Sequence, residues 1–316
     1  MSFDNIIYLN PDSLRNQIND EMLVMGRREA NRLLVPHQID LKKLCRQPGV
    51  QDGEPLPWRN DIIYLREKEL SIWAGINGHG KSLLVDQVAL WRCQNQRVII
   101  ASMEMTPEQS LYRMINQLVG CAVAEKYLDL VCKKLYGRMW IYNELDHVES
   151  QRILALCHYV ARVLQVHHIV IDSLSTCGLS LDDWNGQQKF IQQLQYIAKK
   201  FGPHIHLVCH IRKKDDENKI PNKFDIRGHG SLADIADNVF IVWRNKPRER
   251  LKHLMQRENI AESQLDPRQR KILEAPGTWL LVEKNRHGGQ EGWIPLYMHS
   301  SGQYSQIEGR TLREPF

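Results

Sequence analysis

The sequence predicts an α/β domain, a mostly parallel central sheet flanked by helices, preceded by a short N-terminal helical arm. Three observations predict it. From about residue 58 onward, short apolar runs alternate with helical patterns, the order that builds a parallel sheet because each crossover is a helix. The stretch "WAGINGHGKSLLVDQ" (73–87) sets a glycine-rich loop between one such run and one such helix. Residues 1–55 break the alternation: "SLRNQINDEMLVMGRREANRLL" reads as one amphipathic helix, and "CRQPGVQDGEPLPWRND" as a polar linker. The expected division is therefore an arm and linker over 1–55 and an ATPase domain over 56–316.

The strands expected in order are "LSIWAG", "RVIIAS", "HHIVID", "HIHLVCH", "NVFIVW" and "TWLLVEK". Helices are expected over 107–120, 148–164 and 186–200. Thr106-Pro107-Glu108-Gln109 is a helix start, with threonine as N-cap, proline at the first position and glutamine three residues after the cap. Residues 246–277 are charged and poor in apolar side chains, which suits a solvated helical insert. Composition is that of a globular protein, with 42% hydrophobic and 25% charged residues in 316 and a net charge of +5 that permits an anionic partner. No apolar run reaches the length of a membrane span, the start lacks the pattern of a secretory signal, and the seven cysteines are scattered without a C-x-x-C pair. A reduced, cytoplasmic setting without membrane attachment or a zinc module is expected.

The chemistry centres on residues 75–82. Gly75, Ile76, Asn77, Gly78, His79, Gly80, Lys81 and Ser82 fit the P-loop pattern G-x-x-x-x-G-K-S/T. Glycines let consecutive backbone N–H groups turn inward around phosphate oxygens, and the helix that follows adds its positive end. Lys81 is expected to reach the β- and γ-phosphates of ATP or another nucleoside triphosphate, and the Ser82 hydroxyl to hold Mg²⁺. The apolar strand "HHIVID" ends in Asp172, the acid expected at the same metal. Ser173 follows it where some ATPases carry a catalytic glutamate, so the water-activating carboxylate must come from elsewhere. Glu104, just past the end of "RVIIAS", is the candidate, since open α/β sheets place ligands at that edge. His210 ends "HIHLVCH", where it could hydrogen-bond a γ-phosphate. His204, His206 and His210 lack an acid or cysteine to complete a metal set, and none is expected there.

"IRKKDDENKIPNKFDIRGHGS" follows His210 directly. Arg212, Lys213, Lys214, Lys219, Lys223 and Arg227 surround Gly228 and Gly230, a composition suited to a DNA backbone, although interspersed acids also suit a solvated mobile loop. The loop "STCGLSLDDWNGQQ" has no basic residue, and its Trp184 is expected to pack.

The order of "GINGHGKS", "IIASMEMTPEQSLYRM", "HHIVIDSLS", "HLVCHIRK", "DIRGHGSLADIADNVFIVWRN" and "LLVEKNRHGGQEGWIPLYMHSSGQYSQ" resembles the helicase domain of DnaB-type hexameric replicative helicases. These include the phage primase-helicases and mitochondrial Twinkle, and the likeness covers roughly residues 58–308. The resemblance implies a RecA-like core and ATP-driven 5′→3′ translocation on single-stranded DNA by a ring. It also implies a cytoplasmic bacterial or phage-infected cell and a primase or helicase loader as partner. It matches Glu104 to the catalytic glutamate, Asp172 to the Mg²⁺-site aspartate, and Lys284 and Arg286 to the basic pair that reaches a neighbouring subunit's ATP. His210 falls where bacterial members carry glutamine and phage members histidine. A RecA-class recombinase that forms filaments on DNA is the other reading of such a core.

Overall fold

The computed structural model describes residues 53–58, 63–121, 127–180, 182–212, 218–228 and 230–312. The chain divides between Pro48 and Gly49, and the N-terminal arm lies outside the described residues, as do Lys213 and Lys214. Glu54–Pro55 (β1) and Tyr64–Leu65 (β2) pair antiparallel. The main sheet begins at Leu70–Gly75 (β3), which feeds the glycine loop and helix Lys81–Arg92 (α1). Val98–Ser102 (β4), Pro107–Val119 (α2), Leu128–Leu135 (α3), Met139–Ile141 (β5) and Ser150–Tyr159 (α4) follow. Then come His168–Asp172 (β6), Trp184–Phe201 (α5), His204–His210 (β7), Ser231–Ile235 (α6) and Asn238–Arg244 (β8). The charged segment forms Lys246–Glu258 (α7) and Pro267–Glu274 (α8), and the chain returns through Thr278–Asn285 (β9), Gly292–Met298 (β10) and Tyr304–Ser305 (β11).

The nine strands lie in the order β11-β10-β9-β8-β3-β7-β6-β4-β5. Pairing is parallel from β8 through β5 and antiparallel from β8 out to β11. Strands β3, β4 and β6 are buried from end to end, because helices cover both faces. Alternation sorts their side chains between two cores. Leu70, Ile72, Ala101, Ile169, Ile171 and Leu207 pack with Ile153 of α4 and Phe190, Ile191 and Leu194 of α5. Trp73, Ile100, Val170, Val208 and Phe240 pack with Leu84 and Val88 of α1 and Met114 of α2. The capping box foreseen for α2 is formed, with Gln109 N donating to Thr106 Oγ1 at 3.3 Å and Thr106 N to Gln109 Oε1 at 3.3 Å. No helix among the described residues is long and apolar enough to cross a membrane.

Three buried histidines lie toward the start of the parallel strands, and their bonding fixes each tautomer. Trp73 Nε1 donates to His206 Nδ1 at 3.1 Å, so His206 carries its proton on Nε2 and donates to His168 Nδ1 at 3.0 Å. His168 Nε2 in turn donates to Gln96 Oε1 at 2.8 Å. His204 donates through Nδ1 to the Arg66 carbonyl at 2.6 Å, and its Nε2 meets the Ser71 hydroxyl at 2.8 Å. Each ring nitrogen is used in the neutral form, which explains why these side chains offer no metal site. Burial pushes His204 down to about 4, and His168 and His206 well below the ordinary histidine range. A base with a depressed folded-state pKa leaves stability intact above the unfolded value of about 6.5; stability falls as acid protonates the unfolded chain first. Thermal unfolding should therefore show a stability loss setting in below pH 6.5, His204 alone accounting for about 3 kcal/mol by pH 4 at 1.36 kcal/mol per unit. His204→Gln should flatten that limb.

Candidate active site

The parallel strands end together and deliver the site. Gly75 at the tip of β3 pairs with His210 at the tip of β7, and Ser102 at the tip of β4 pairs with Asp172 at the tip of β6. Glu104 follows β4 by two residues. A cleft of about 490 Å³ is lined by Asn77, Gly78, Gly80, Lys81, Glu104 and His210, with Ser82, Leu83, Arg113 and Arg244 completing it. The loop can take this form only with glycine at two crowded points. A Cβ on Gly75 would come within 2.5 Å of the Val242 carbonyl. Gly80 adopts φ +87°, and a Cβ there would meet the Tyr304 hydroxyl at 2.1 Å. His79 turns away from the cleft and is buried, its Nδ1 accepting from Arg244 N at 3.0 Å.

Lys81 is 5% exposed and donates to the Ile76 carbonyl at 3.1 Å, within its own loop. Burial lowers its pKa, opposed by the charges of Asp172 and Glu104. Asp172 is pushed up to about 6, chiefly by burial and further by Asp86 and Glu104, against a lowering hydrogen bond from Ser82. A buried carboxylate short of positive charge beside a hydroxyl is a donor set that suits Mg²⁺, which takes few protein oxygens and keeps waters and phosphates as its other ligands. Glu104 behaves oppositely. Hydrogen bonds from His210 and Ser173 hold it down to about 2, against burial. Ser173 Oγ donates to Glu104 Oε1 at 2.7 Å, and His210 Nε2 lies 3.4 Å from the same oxygen.

The structure thus brings together the loop residues, Asp172, Glu104 and His210. It adds four that sequence reasoning did not single out: Ser173, Arg113, Arg244 and Tyr304. Arg113 pairs with buried Asp86, and Arg244 pairs with Glu249 of α7. Only Ser173 left a signal, a hydroxyl directly after the strand-terminal acid.

Lys284 and Arg286 lie elsewhere. Asn285 pairs with Asn238, which pairs with Ser71 near the start of β3. This level is about 13 Å along the strands from Gly75 at 3.3 Å per residue. Lys284 Nζ donates to the carbonyls of Ala233 and Asp234, each at 2.8 Å. Arg286 donates to Asp237 Oδ1 at 2.7 Å and to the Asp234 carbonyl at 2.9 Å. Both cations hold the end of α6.

The loop after His210 is anchored at its base. Ile211 and Ile226 form an isolated antiparallel bridge, and Arg227 N donates to the His210 carbonyl at 2.8 Å. Gly228 sits at φ +118°, where a Cβ would fall 2.5 Å from Gln187 Oε1. The neighbourhood of Gly230 is open. Arg212 and Arg227 are exposed, Arg212 donating to the Gly228 carbonyl at 3.0 Å. Lys219 is exposed as well. Lys223 is instead drawn back to the body, donating to the Glu283 carbonyl at 3.1 Å and pairing with Glu291 at 3.7 Å. Trp184, expected to pack, is 58% exposed at the start of α5, because the Asp183 side chain caps that helix and leaves the indole on its outer turn.

A glycine loop, a strand-terminal acid and a carboxylate across the cleft, at one edge of a nine-stranded sheet with this order, define a RecA-like P-loop NTPase core. The profile of the DnaB-like helicase C-terminal domain family matches residues 61–306, and the chain belongs to that family. It is 27% identical over 194 residues to the DNA helicase/primase of Enterobacteria phage T3, across 54% of this chain and 34% of the phage protein. The chain thus matches about a third of the length of that relative. Among solved structures it resembles a helicase ATPase domain, with a TM-score of 0.61, 16% identity, and coverage of 92% of this chain and 98% of that one.

Proposed function

We propose that this chain is the motor of a ring-shaped, ATP-dependent replicative DNA helicase that travels 5′→3′ on single-stranded DNA. The observation that carries the reading is the shared edge of the sheet. The phosphate loop, Glu104 and His210 converge there, and the basic segment starts at the residue after His210. In this reading Ser82 and Asp172 hold Mg²⁺, which supplies charge compensation to the β- and γ-phosphates when bound. Lys81 compensates the same phosphates, Glu104 orients the attacking water, and His210 reports whether a γ-phosphate is present. Because Arg227 N is bonded to the His210 carbonyl, a shift of His210 pulls on the base of the DNA loop. Arg212, Arg227, Gly228 and Gly230 then contact the DNA backbone, with Lys213 and Lys214 contributing from the segment between them. Lys223 has a structural share, given its bonds to Glu283 and Glu291. Lys284 and Arg286 act on the nucleotide of the next subunit, since they lie at the far end of the sheet from their own. The similarity to a phage helicase/primase supports a primase, joined or separate, or a loader as partner.

Strand displacement on a forked duplex, with a 5′ or a 3′ tail offered separately, tests this reading, with electron microscopy of the particles alongside. Six-membered rings and unwinding that requires the 5′ tail are expected. Lys81→Ala should fold normally and lose hydrolysis and unwinding together. Open filaments that pair homologous strands without displacing a tail would mark a recombinase instead. Hydrolysis near the unaltered rate in Lys81→Ala would remove the loop from the active site.

A further inference from the structure

We propose that Ser173 is a positioning residue for hydrolysis, one that holds Glu104 with its second carboxylate oxygen free for water. The inference rests on the role given to Glu104 above. Ser173 is completely buried at the end of β6, yet its hydroxyl reaches the cleft through Glu104. A serine hydroxyl has one proton to give. Its 2.7 Å approach to a carboxylate that stays ionised at neutral pH assigns that proton to Glu104 Oε1. Ser175 Oγ, beside Ser173 Oγ, is then the donor in that pair. His210 Nε2, 3.3 Å from Ser173 Oγ and 3.4 Å from Glu104 Oε1, must likewise carry hydrogen, because both oxygens need a donor from that side.

The consequence is an asymmetric carboxylate. Among the described residues, Ser173 and His210 are the side chains that hydrogen-bond Glu104, and both approach Oε1. Oε2 is left to accept from a water in the cleft. Glu104 follows β4 on a turn, with 41% of its side chain exposed, so its rotamer is not fixed by packing. The His210 contact is too long to fix it alone. Ser173 is itself held firmly. Its N–H donates to Thr176 Oγ1 at 3.2 Å, and its carbonyl accepts from Thr176 Oγ1 at 2.7 Å and from Cys177 Sγ at 3.4 Å. A rigid donor on a mobile carboxylate is what converts a nearby base into an aimed one, and misaiming reacting atoms is costly in rate.

The test is a double-mutant cycle on DNA-stimulated ATP hydrolysis, with ATP affinity and thermal unfolding measured on every variant. Ser173→Ala should keep its unfolding temperature and its ATP affinity, and lose about tenfold in kcat with KM unchanged, as expected for a modest loss of alignment. Ser173→Cys, similar in bulk but a weak donor, should behave like alanine. In a Glu104→Gln background, Ser173→Ala should change the residual rate by less than about twofold, because a residue that acts only through the glutamate has nothing left to position. The same tenfold loss in both backgrounds would show that Ser173 acts independently and would overturn the proposal. So would an unaltered kcat in Ser173→Ala while Glu104→Gln is inactive. Near-normal activity in Glu104→Gln would instead remove the glutamate, a failure of the underlying reading that the cycle separates from the first two.

Discussion

Glu104→Gln should bind ATP as tightly as the unaltered chain, still assemble on DNA, and turn over at least about a hundredfold more slowly, the usual loss when a general base is removed. The substitution keeps the size of the side chain and an oxygen to accept from Ser173, so the turn after β4 should be undisturbed. What disappears is the negative charge. In the structure that charge is held ionised by two hydrogen bonds, which brings its pKa down to about 2. Such a carboxylate is a poor proton acceptor in its ground state but a strong, permanently charged anchor for a water. It gains basicity only as charge develops on the attacking oxygen. Activity should therefore not fall off on the acid side through titration of Glu104 until pH values far below neutral, and any acid limb near pH 6 belongs to another group. Single-turnover hydrolysis with independently measured nucleotide affinity is the check. Lost binding with intact chemistry would make Glu104 a ligand of the nucleotide and leave the water without an assigned base.

How much of this was legible in the sequence follows from the range of the interactions involved. The six apolar runs that became β3, β4, β6, β7, β8 and β9 announced themselves because strands buried on both faces need nearly continuous hydrophobicity. The start of α2 was readable because a capping box is closed within four residues. β5 was not, since its three residues are only half-buried at the sheet edge and carry no distinctive period. β10 alternates around Gly292 and Pro295 and gains its strand character only by pairing with β9. The site divides in the same way. Gly80, Lys81, Ser82 and Asp172 belong to local patterns whose chemistry needs those residue types in sequence. Tyr304, whose hydroxyl crowds Gly80, arrives from the end of the chain, and Arg244 arrives from β8, on the opposite side of β3 from β7. Lys223 shows the converse error. Counting charge grouped it with DNA-facing cations, whereas Glu283 and Glu291, distant in sequence, hold it. Composition records a charge but not its partner.

The second large effect is expected at Arg286, and its location makes the experiment unusual. The guanidinium sits at the end of the sheet away from its own phosphate loop, about 13 Å along the strands at 3.3 Å per residue. It can bring two parallel N–H groups to phosphate oxygens, a geometry that stabilises charge growing in the transition state, but only on a nucleotide held by another subunit. In the isolated chain it is preset, not idle. Asp237 Oδ1 accepts from it at 2.7 Å, and the same carboxylate is fixed by Leu70 N at 2.9 Å on its other oxygen. Lys284 grips the same short helix beside it. Arg286→Ala should therefore assemble and bind ATP, yet hydrolyse it about a thousandfold or more slowly, the scale on which such arginines act. Mixing separates action between subunits from a local defect. Lys81→Ala subunits lack the loop lysine, and Arg286→Ala subunits lack the arginine, so each ring alone should be nearly inactive. In a mixed ring, some interfaces pair an intact loop with an intact arginine, and part of the hydrolysis should return. If mixed rings form and no activity returns, the arginine serves its own subunit or only the end of α6. Full activity of Arg286→Ala as a lone monomer would likewise reduce it to the structural ion pair with Asp237.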